Sequence, residues 1–274
     1  MQPFIQHLGL KEIRSNLITL TNITSPPPSY EEIVTIAIDQ AQIPHRTGKV
    51  IQISGSTATV LVFEGTSNMS LSNTATTFTG RLMEMGLSKD LLGRTFDGLG
   101  RPIDGLGNIS VHNKRIINGN ATNPTRRIYP RNYIHTGFSA IDGLTTLIRG
   151  QKLPIFSADG LPHDRLAAQI ATQARIVSDT YLNENNFAVV FAAMGVQHGT
   201  AEFFRQAFEE SGTIDRTIMY LNLANDPPTE RIATPRFALT AAEYLAYDLG
   251  YHVLVILTDM TAYAVMSVRI TNTW

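Results

Sequence analysis

The stretch that decides the fold is residues 151–164, QKLPIFSADGLPHD, which the amphipathic run RLAAQIATQARI follows. Its apolar start predicts a buried strand, its middle a turn and its end the beginning of a helix. This is the layout of a phosphate-binding loop. In a working loop, G-x-x-x-x-G-K-S/T, the lysine neutralises phosphate and the hydroxyl holds Mg²⁺. Both groups are missing here, where the candidate loop residues are Ser157, Asp159, Gly160, His163 and Asp164.

Two interpretations of this loop stay open on the residues alone. It is either a nucleotide-type loop that has lost its phosphate chemistry or an ordinary strand-to-helix turn in which Asp164 caps the helix. Under the first interpretation, Pro162 removes a backbone donor and His163 replaces a fixed cation by an imidazole. No lysine follows Lys152 that would replace the missing one. We therefore expect no hydrolysis of ATP at this loop.

Alternating strands and helices fill the sequence from residue 136 onward. The predicted strands are residues 152–158, 187–194, 217–223 and 252–259, and the predicted helices are residues 136–148, 164–177, 200–212 and 233–250. Continuous apolar strands that alternate with helices indicate a parallel sheet covered on both faces. Ligands of such sheets bind beyond the carboxyl ends of the strands. The residues that follow the strands are therefore the candidates for function.

Three of these strand ends carry polar residues. Asp259 ends an apolar strand, where an aspartate either supports Mg²⁺, as in phosphate-loop proteins, or caps the next helix. After the second strand, Val196 and Gln197 stand where a hydrolytic site would place a carboxylate. The polar loop at residues 224–236 contains candidates for contact with a partner subunit or for helix capping, namely Asn225, Asp226, Glu230, Arg231 and Arg236. No catalytic residue and no metal site is predicted.

The first eighty residues read as β-structure. Short alternating segments rich in Ile, Val and Thr, punctuated by Gly, Ser and Asn, predict a small closed barrel or sandwich. The run FDGLGRPIDGLG at residues 96–107 predicts turns in which glycine supplies positive φ. We therefore predict an α/β chain with an N-terminal β-barrel at residues 1–80 and a nucleotide-type domain at residues 81–274.

Composition excludes several classes of function. The net charge of −1 argues against an electrostatic binder of nucleic acid or of membrane surfaces. With no cysteine in the chain, disulfides and thiolate metal sites are excluded. The longest apolar runs are too short to span a bilayer, and no signal peptide is recognisable. These features predict a soluble protein.

Several segments, taken together and in order, resemble the non-catalytic B subunit of the vacuolar and archaeal (V/A-type) rotary ATPases. They include VFEGTS, GRTFDGLGRPID, RGQKLPIFSADGLPHD, FAVVFAAMGV and ANDPPTERIATPR. The catalytic A subunit and both large F-type subunits resemble this architecture but keep the loop lysine. The resemblance places His163 at the lysine position, Asp164 at the Ser/Thr position, Val196 near the catalytic glutamate and Asp259 at the strand-end aspartate. It implies that the second domain is RecA-like.

The resemblance implies a non-catalytic, regulatory subunit rather than an enzyme by itself. Such a subunit alternates with catalytic A subunits in a hexameric head, contacts central and peripheral stalk subunits, and is coupled to proton or sodium flow through a membrane sector. ATP or ADP with Mg²⁺ then lies at interfaces with the catalytic subunit, and none is bound strongly by this chain alone. The expected location is the cytoplasmic face of a plasma or vacuolar-type membrane, without nucleic-acid partners.

The sequence departs from the family near its end. The resemblance runs from about residue 45 to residue 264, after which the chain reads VMSVRITNTW. The arginine-rich stretch, further sheet strands and the C-terminal helical domain of the family are then missing, which predicts a truncated B subunit with an incomplete RecA-like domain. Two alternatives remain: a free-standing ATPase with an unconventional phosphate loop, and a pseudo-subunit or scaffold that is not assembled into a complex.

Overall fold

Two sheets organise the protein, an antiparallel one in the N-terminal part and a parallel one in the C-terminal part. They are seen in a computed structural model, which describes residues 5–23, 27–38, 45–119, 123–126, 129, 132–158, 160–176 and 186–272. The predicted α/β class, with a β-domain followed by a parallel sheet, is confirmed. The boundary after residue 80 stays a prediction.

The antiparallel sheet curls around an aliphatic core of its own. Its strands are β1 (Ile5–Leu8), β2 (Glu12–Arg14), β3 (Leu17–Leu20), β4 (Ile33–Ile38), β5 (Arg46–Ser54), β6 (Thr57–Val62) and β7 (Thr74–Phe78). They pair in the order β1-β7-β4-β5-β6-β3-β2. Every second side chain faces the core, as Val34 and Ile36 do in β4. Gly48 lies at the tightest point, because a methyl group there would come within 2.6 Å of Val60.

A turn-rich segment connects the two sheets. Its strands are β8 (Glu84–Leu87), β9 (Thr95–Asp97) and β10 (Asn113–Ile116), followed by β11 (Ile134–His135) and the short helix α1 (Ser139–Leu144). β8 pairs with β10, whereas β9 joins the parallel sheet. Gly100, Gly105 and Gly107 have φ angles of +76°, +75° and +78°, which confirms the predicted turns.

The parallel sheet is covered by helices on both faces, as predicted. The remaining elements are α2 (His163–Gln173), β12 (Arg175–Ile176), β13 (Phe187–Val196), α3 (His198–Glu210), β14 (Thr217–Leu223), α4 (Glu230–Tyr247), β15 (His252–Thr258) and α5 (Met260–Asn272). The strand order is β15-β13-β14-β9. One face of β13, with Phe191 at its centre, packs in a cluster with α2 and α3, and the other face, which includes Val190, packs against α4. None of the helices in the described ranges combines the length and apolarity needed to cross a membrane.

The strand predicted at residues 152–158 is absent. The segment pairs with none of the described strands, and the side chain of Phe156 is 93% exposed. An apolar run predicts burial but not the neighbour that must complete the backbone hydrogen bonds of a strand. The prediction was therefore wrong for this segment.

All four helices have other bounds than predicted, since α2 ends at Gln173 instead of residue 177 and α3 spans His198–Glu210 instead of residues 200–212. The helix expected at residues 136–148 is only α1, because the carboxylate of Asp142 turns back and accepts hydrogen bonds from the backbone N–H groups of Thr136 (2.9 Å) and Gly137 (3.1 Å). Helix α4 spans Glu230–Tyr247 instead of residues 233–250, so Pro235 lies beyond the first turn, where it removes one backbone bond.

Candidate functional site

The candidate loop turns sharply before helix α2. Gly160 has a φ of +79°, and the backbone N–H of His163 donates to the carbonyl of Leu161 over 2.8 Å. Helix α2 then begins at His163, with Pro162 preceding it. Asp159 lies outside the described residues. The predicted turn and helix start are thus present, although the strand before them is not.

The orientation of α2 follows from contacts at its far end. Arg216, which immediately precedes β14, donates from Nη2 to the carbonyl of Thr172 over 3.0 Å. Its guanidinium carbon also lies 5.5 Å from the ring centre of Phe187, the first residue of β13. The C-terminal end of α2 is therefore at the amino ends of these strands. Since the helix is roughly 16 Å long, its N-terminus lies toward the carboxyl edge of the sheet, where ligands bind.

The side chains at the start of α2 interact with each other. The hydroxyl of Ser157 lies 3.2 Å from Nδ1 of His163, and Nε2 of His163 lies 3.7 Å from the carboxylate of Asp164. Asp164 makes no capping hydrogen bond, because the helix begins before it. The capping interpretation of Asp164 was therefore wrong. A carboxylate in the first helical turn still interacts favourably with the helix dipole, and it occupies the place where an anionic ligand would need positive charge.

Asp259 caps the next helix. It directly follows β15, and its carboxylate accepts a hydrogen bond of 2.8 Å from the backbone N–H of Thr261 in the first turn of α5. No hydrogen bond or ion pair joins His163 or Asp164 to Asp259 among the described residues. Of the two roles that the sequence left open for Asp259, support of Mg²⁺ and helix capping, the structure shows helix capping.

A polar contact that sequence analysis missed joins the carboxyl ends of β13 and β14. Asn222 is fully buried in β14, and its Oδ1 accepts from the backbone N–H of Gly195 (3.1 Å) and from Nε of Arg231 (2.9 Å). Gly195 has a φ of +70°, and a methyl group on it would come within 2.6 Å of the Arg231 guanidinium carbon. The only signal in the sequence was one asparagine inside the apolar run TIMYLNL.

The five candidates in the loop at residues 224–236 occupy different environments. Asn225 is exposed, and the carboxylate of Asp226 accepts a hydrogen bond of 2.7 Å from the backbone N–H of Leu223. Glu230 is only 7% exposed, and Arg231 lies against Gly195. Arg236 is half-buried and donates over 2.8 Å to the side-chain oxygen of Asn118 in the connecting segment.

Titratable side chains also cluster where α4 begins. Burial, followed by the negative charge of Asp97, raises the pKa of Glu230 to about 7, and Arg101 opposes this shift. Burial likewise raises the pKa of Asp97. In the described ranges, no three His, Asp or Glu side chains are arranged to hold a metal ion.

The sequence that forms this fold matches a known protein family. The model of the ATP synthase alpha/beta family, nucleotide-binding domain, matches residues 137–272. The V-type ATP synthase beta chain 2 of Clostridium tetani is 52% identical over 258 residues, which are 94% of this chain and 55% of that protein.

The chain belongs to the ATP synthase alpha/beta family. Among its B-type members, the B subunit of the A-type ATP synthase of Cenarchaeum symbiosum is 51% identical over 260 residues, 95% of this chain and 54% of that protein. The B subunit of the V-type proton ATPase of Encephalitozoon cuniculi is 48% identical over 267 residues, 96% of this chain and 55% of that protein. The chain thus spans about half the length of the curated relatives it matches. The resemblance stated from the sequence motifs is confirmed.

Proposed function

We propose that this chain serves as a non-catalytic, regulatory component of the soluble head of a V/A-type rotary ATPase. The observation that carries the proposal is the start of α2. There the Nε2 atom of His163 lies 3.7 Å from the carboxylate of Asp164, at the positions where a working loop has lysine and Ser/Thr. Phosphate would meet an imidazole in place of a fixed ammonium and a carboxylate in place of a hydroxyl, so this loop is unsuited to stabilise the charge of a triphosphate.

The same geometry allows the loop to serve as a structural surface. Helix α2 packs through Ala168, Ile170 and Ala171 into the cluster around Phe191, so the loop stands on a rigid support. A neighbouring catalytic subunit needs a fixed surface opposite its own nucleotide. We assign Ser157, Gly160, His163 and Asp164, together with Asp259, to a degenerate nucleotide-type site that faces such a neighbour. Asp159 belongs to the same proposal by its position in the sequence.

Partners and ligands follow from this proposal. The partners are catalytic A subunits in an alternating hexamer, with central and peripheral stalk subunits. ATP or ADP with Mg²⁺ lies at the interfaces with the catalytic subunit. The complex stands on the cytoplasmic face of a membrane, with which this chain has no contact except through the ion-translocating sector. Exposed Asn225 and half-buried Asp226 and Arg236 are the interface residues supported best, because they reach the surface, whereas Glu230 is buried and Arg231 lies against Gly195.

A reconstituted loop tests the missing phosphate chemistry. We compare the chain with a double variant, His163→Lys with Asp164→Thr, by calorimetric titration with MgADP and a non-hydrolysable ATP analogue. The expected result is no measurable binding by the chain and weak binding by the variant, because an ammonium and a hydroxyl then face the phosphates. A matched control, Arg165→Lys, adds a lysine one position beyond the loop and is expected not to bind.

Assembly tests the partner. The chain is mixed with the catalytic subunit of a relative and examined by size-exclusion chromatography and ATP turnover. Co-elution without turnover by the chain alone supports a role in the head of the complex. Turnover of ATP by the purified chain at ordinary enzyme rates would support the free-standing ATPase instead. Failure to associate with any catalytic subunit, in a chain that is folded by circular dichroism, would support the scaffold alternative.

A further inference from the structure

Glu230 lies where the N-terminal β-domain meets helix α4. The preceding residue, Thr229, is fully buried and donates a hydrogen bond of 2.5 Å to the carbonyl of Phe63, just after β6. Thr229 also accepts a bond of 3.3 Å from the side-chain amide of Asn16. The first turn of α4 is therefore fastened directly to the curled sheet. Glu230 is inside this junction, because a methyl group on Gly98 would lie 3.3 Å from its Cβ.

The carboxyl group of Glu230 accepts no hydrogen bond from the described residues. Its side chain is 7% exposed, and within the described part of the chain no hydrogen bond reaches the carboxyl oxygens. Burying an ionised carboxylate without a partner costs several kcal/mol, whereas a protonated carboxyl costs far less. The site therefore favours the neutral form.

Charged groups face Glu230 from each element of the junction. Asp97 comes from β9, Glu64 from the end of the curled sheet, Asp226 from the loop before α4, and Arg101 from the turn after β9. Arg101 is already engaged, since its Nη2 atom lies 2.6 Å from Glu64 and its Nε atom 3.8 Å from Asp97. Three carboxylates and one shared cation leave the surroundings negative. Ionised Glu230 would add a fourth like charge.

We propose that Glu230 is a proton-controlled latch that joins the N-terminal β-domain to helix α4. When the carboxyl is protonated, the start of α4 packs against the turn at Gly98 and the end of β6. When it ionises, repulsion by the three carboxylates and the need for hydration push the first turn of α4 away from this junction. The loop at residues 224–229 loosens with it, because the loop is held at Asp226 by the end of β14 and at Thr229 by the carbonyl of Phe63.

The direction with pH follows from the chemistry. Burial and the charge of Asp97 raise the pKa of Glu230 to about 7 from its ordinary value of 4.5. The folded state therefore keeps a proton that the unfolded state loses, so the contribution of this group to stability is complete below pH 4.5 and is lost as the pH rises through about 7. Asp97, whose pKa is also raised, acts in the same direction.

Unfolding of the full chain as a function of pH tests the latch. Midpoints of thermal unfolding are measured at constant ionic strength from about pH 4 to about pH 8.5, which spans the ordinary and the raised pKa of Glu230. The samples are the chain, Glu230→Gln, and Glu243→Gln as a control on the same helix. Glutamine has the shape of the protonated side chain. We expect Glu230→Gln to match the chain at the acidic end and to exceed it increasingly as the pH rises, while the control remains parallel to the chain.

A local readout keeps the test decisive if a variant does not fold. Amide hydrogen exchange, corrected for intrinsic rates, is compared on the acidic and the alkaline side of the titration in the unmodified chain and in Asp226→Asn. Protection at residues 229–234 should fall on the alkaline side. The fall should be smaller in Asp226→Asn, where one like charge is gone. Equal protection of these amides on both sides, or parallel unfolding curves for Glu230→Gln and the chain, overturns the proposal.

Discussion

Asn222 holds Arg231 at the carboxyl edge of the parallel sheet, through a hydrogen bond of 2.9 Å from Nε of Arg231 to Oδ1 of Asn222. The same oxygen accepts from the backbone N–H of Gly195 at the end of the neighbouring strand. One buried amide thus ties together two strand ends and the first turn of α4.

Replacing Asn222 by alanine should destabilise the protein. Asn222→Ala removes the acceptor of two hydrogen bonds, and a buried donor left without its partner costs about 1–3 kcal/mol. Urea unfolding monitored by circular dichroism measures the loss. Exposed Asn225, replaced by alanine, is the control and should change the free energy of unfolding by less than about 0.5 kcal/mol. Equal effects of both substitutions would contradict the role of Asn222.

Gly195 should not tolerate a side chain. Its φ of +70° is strained for alanine, and the added methyl would meet the Arg231 guanidinium at 2.6 Å. We expect Gly195→Ala to cost about 1–3 kcal/mol. Gly199→Ala is the matched control, because Gly199 lies in α3 with nothing within 4 Å of an added methyl, and should be neutral or slightly stabilising. The same unfolding assay distinguishes the two.

The ion pair between Arg94 and Asp104 should make the free energy of unfolding fall at acidic pH. The hydrogen bond from Arg94 lowers the pKa of Asp104 to about 2 from its ordinary value of 3.8. Its contribution is therefore present above pH 3.8 and lost as the pH falls toward 2. Asp104→Asn should cost about 1–2 kcal/mol near neutral pH and much less in strong acid. Exposed Asp215, replaced by asparagine, should show no such difference.

Two phenylalanines should respond in opposite ways to truncation. Phe191 is fully buried, with its ring centre 4.4 Å from that of Phe204, and Phe191→Ala should cost about 3–5 kcal/mol. Phe156 is 93% exposed in the unpaired segment, so Phe156→Ala should change stability by less than about 0.5 kcal/mol. A large loss for Phe156→Ala would mean that residues 152–158 do form a buried strand.

Sequence patterns predicted the parts of the fold that are marked by continuous apolar runs. Strands β13, β14 and β15 follow apolar runs with β-branched residues, and α3 ends two residues before Gly212, the residue at which its end was predicted. The segment at residues 152–158 has the same apolar character but pairs with none of the described strands. Pairing depends on distant parts of the chain, which a local pattern does not contain. The loop residues His163 and Asp164 were found by their spacing, because a missing lysine is visible in a motif.

The polar junctions of the molecule were not predictable in the same way. The sequence made Glu230 a candidate for contact with a partner subunit or for helix capping, and only its packing under Gly98 shows that it is buried. Asn222 and Thr229 are polar residues whose partners lie at other strand ends or in the curled sheet. Such contacts depend on three-dimensional proximity between segments far apart in sequence. The interface assignment of the loop at residues 224–236 stays a prediction.

The placement of β9 in the parallel sheet has a consequence for how the chain folds. β9 pairs with β14 in parallel, with Thr95 opposite Met219, so two segments far apart in sequence must meet before this edge forms. Closing so long a loop is entropically costly, and a high contact order slows folding. During synthesis the curled sheet is complete long before β14 emerges. The ring of Phe96 therefore remains without its stacking partner until the segment that contains Tyr220 has been synthesised.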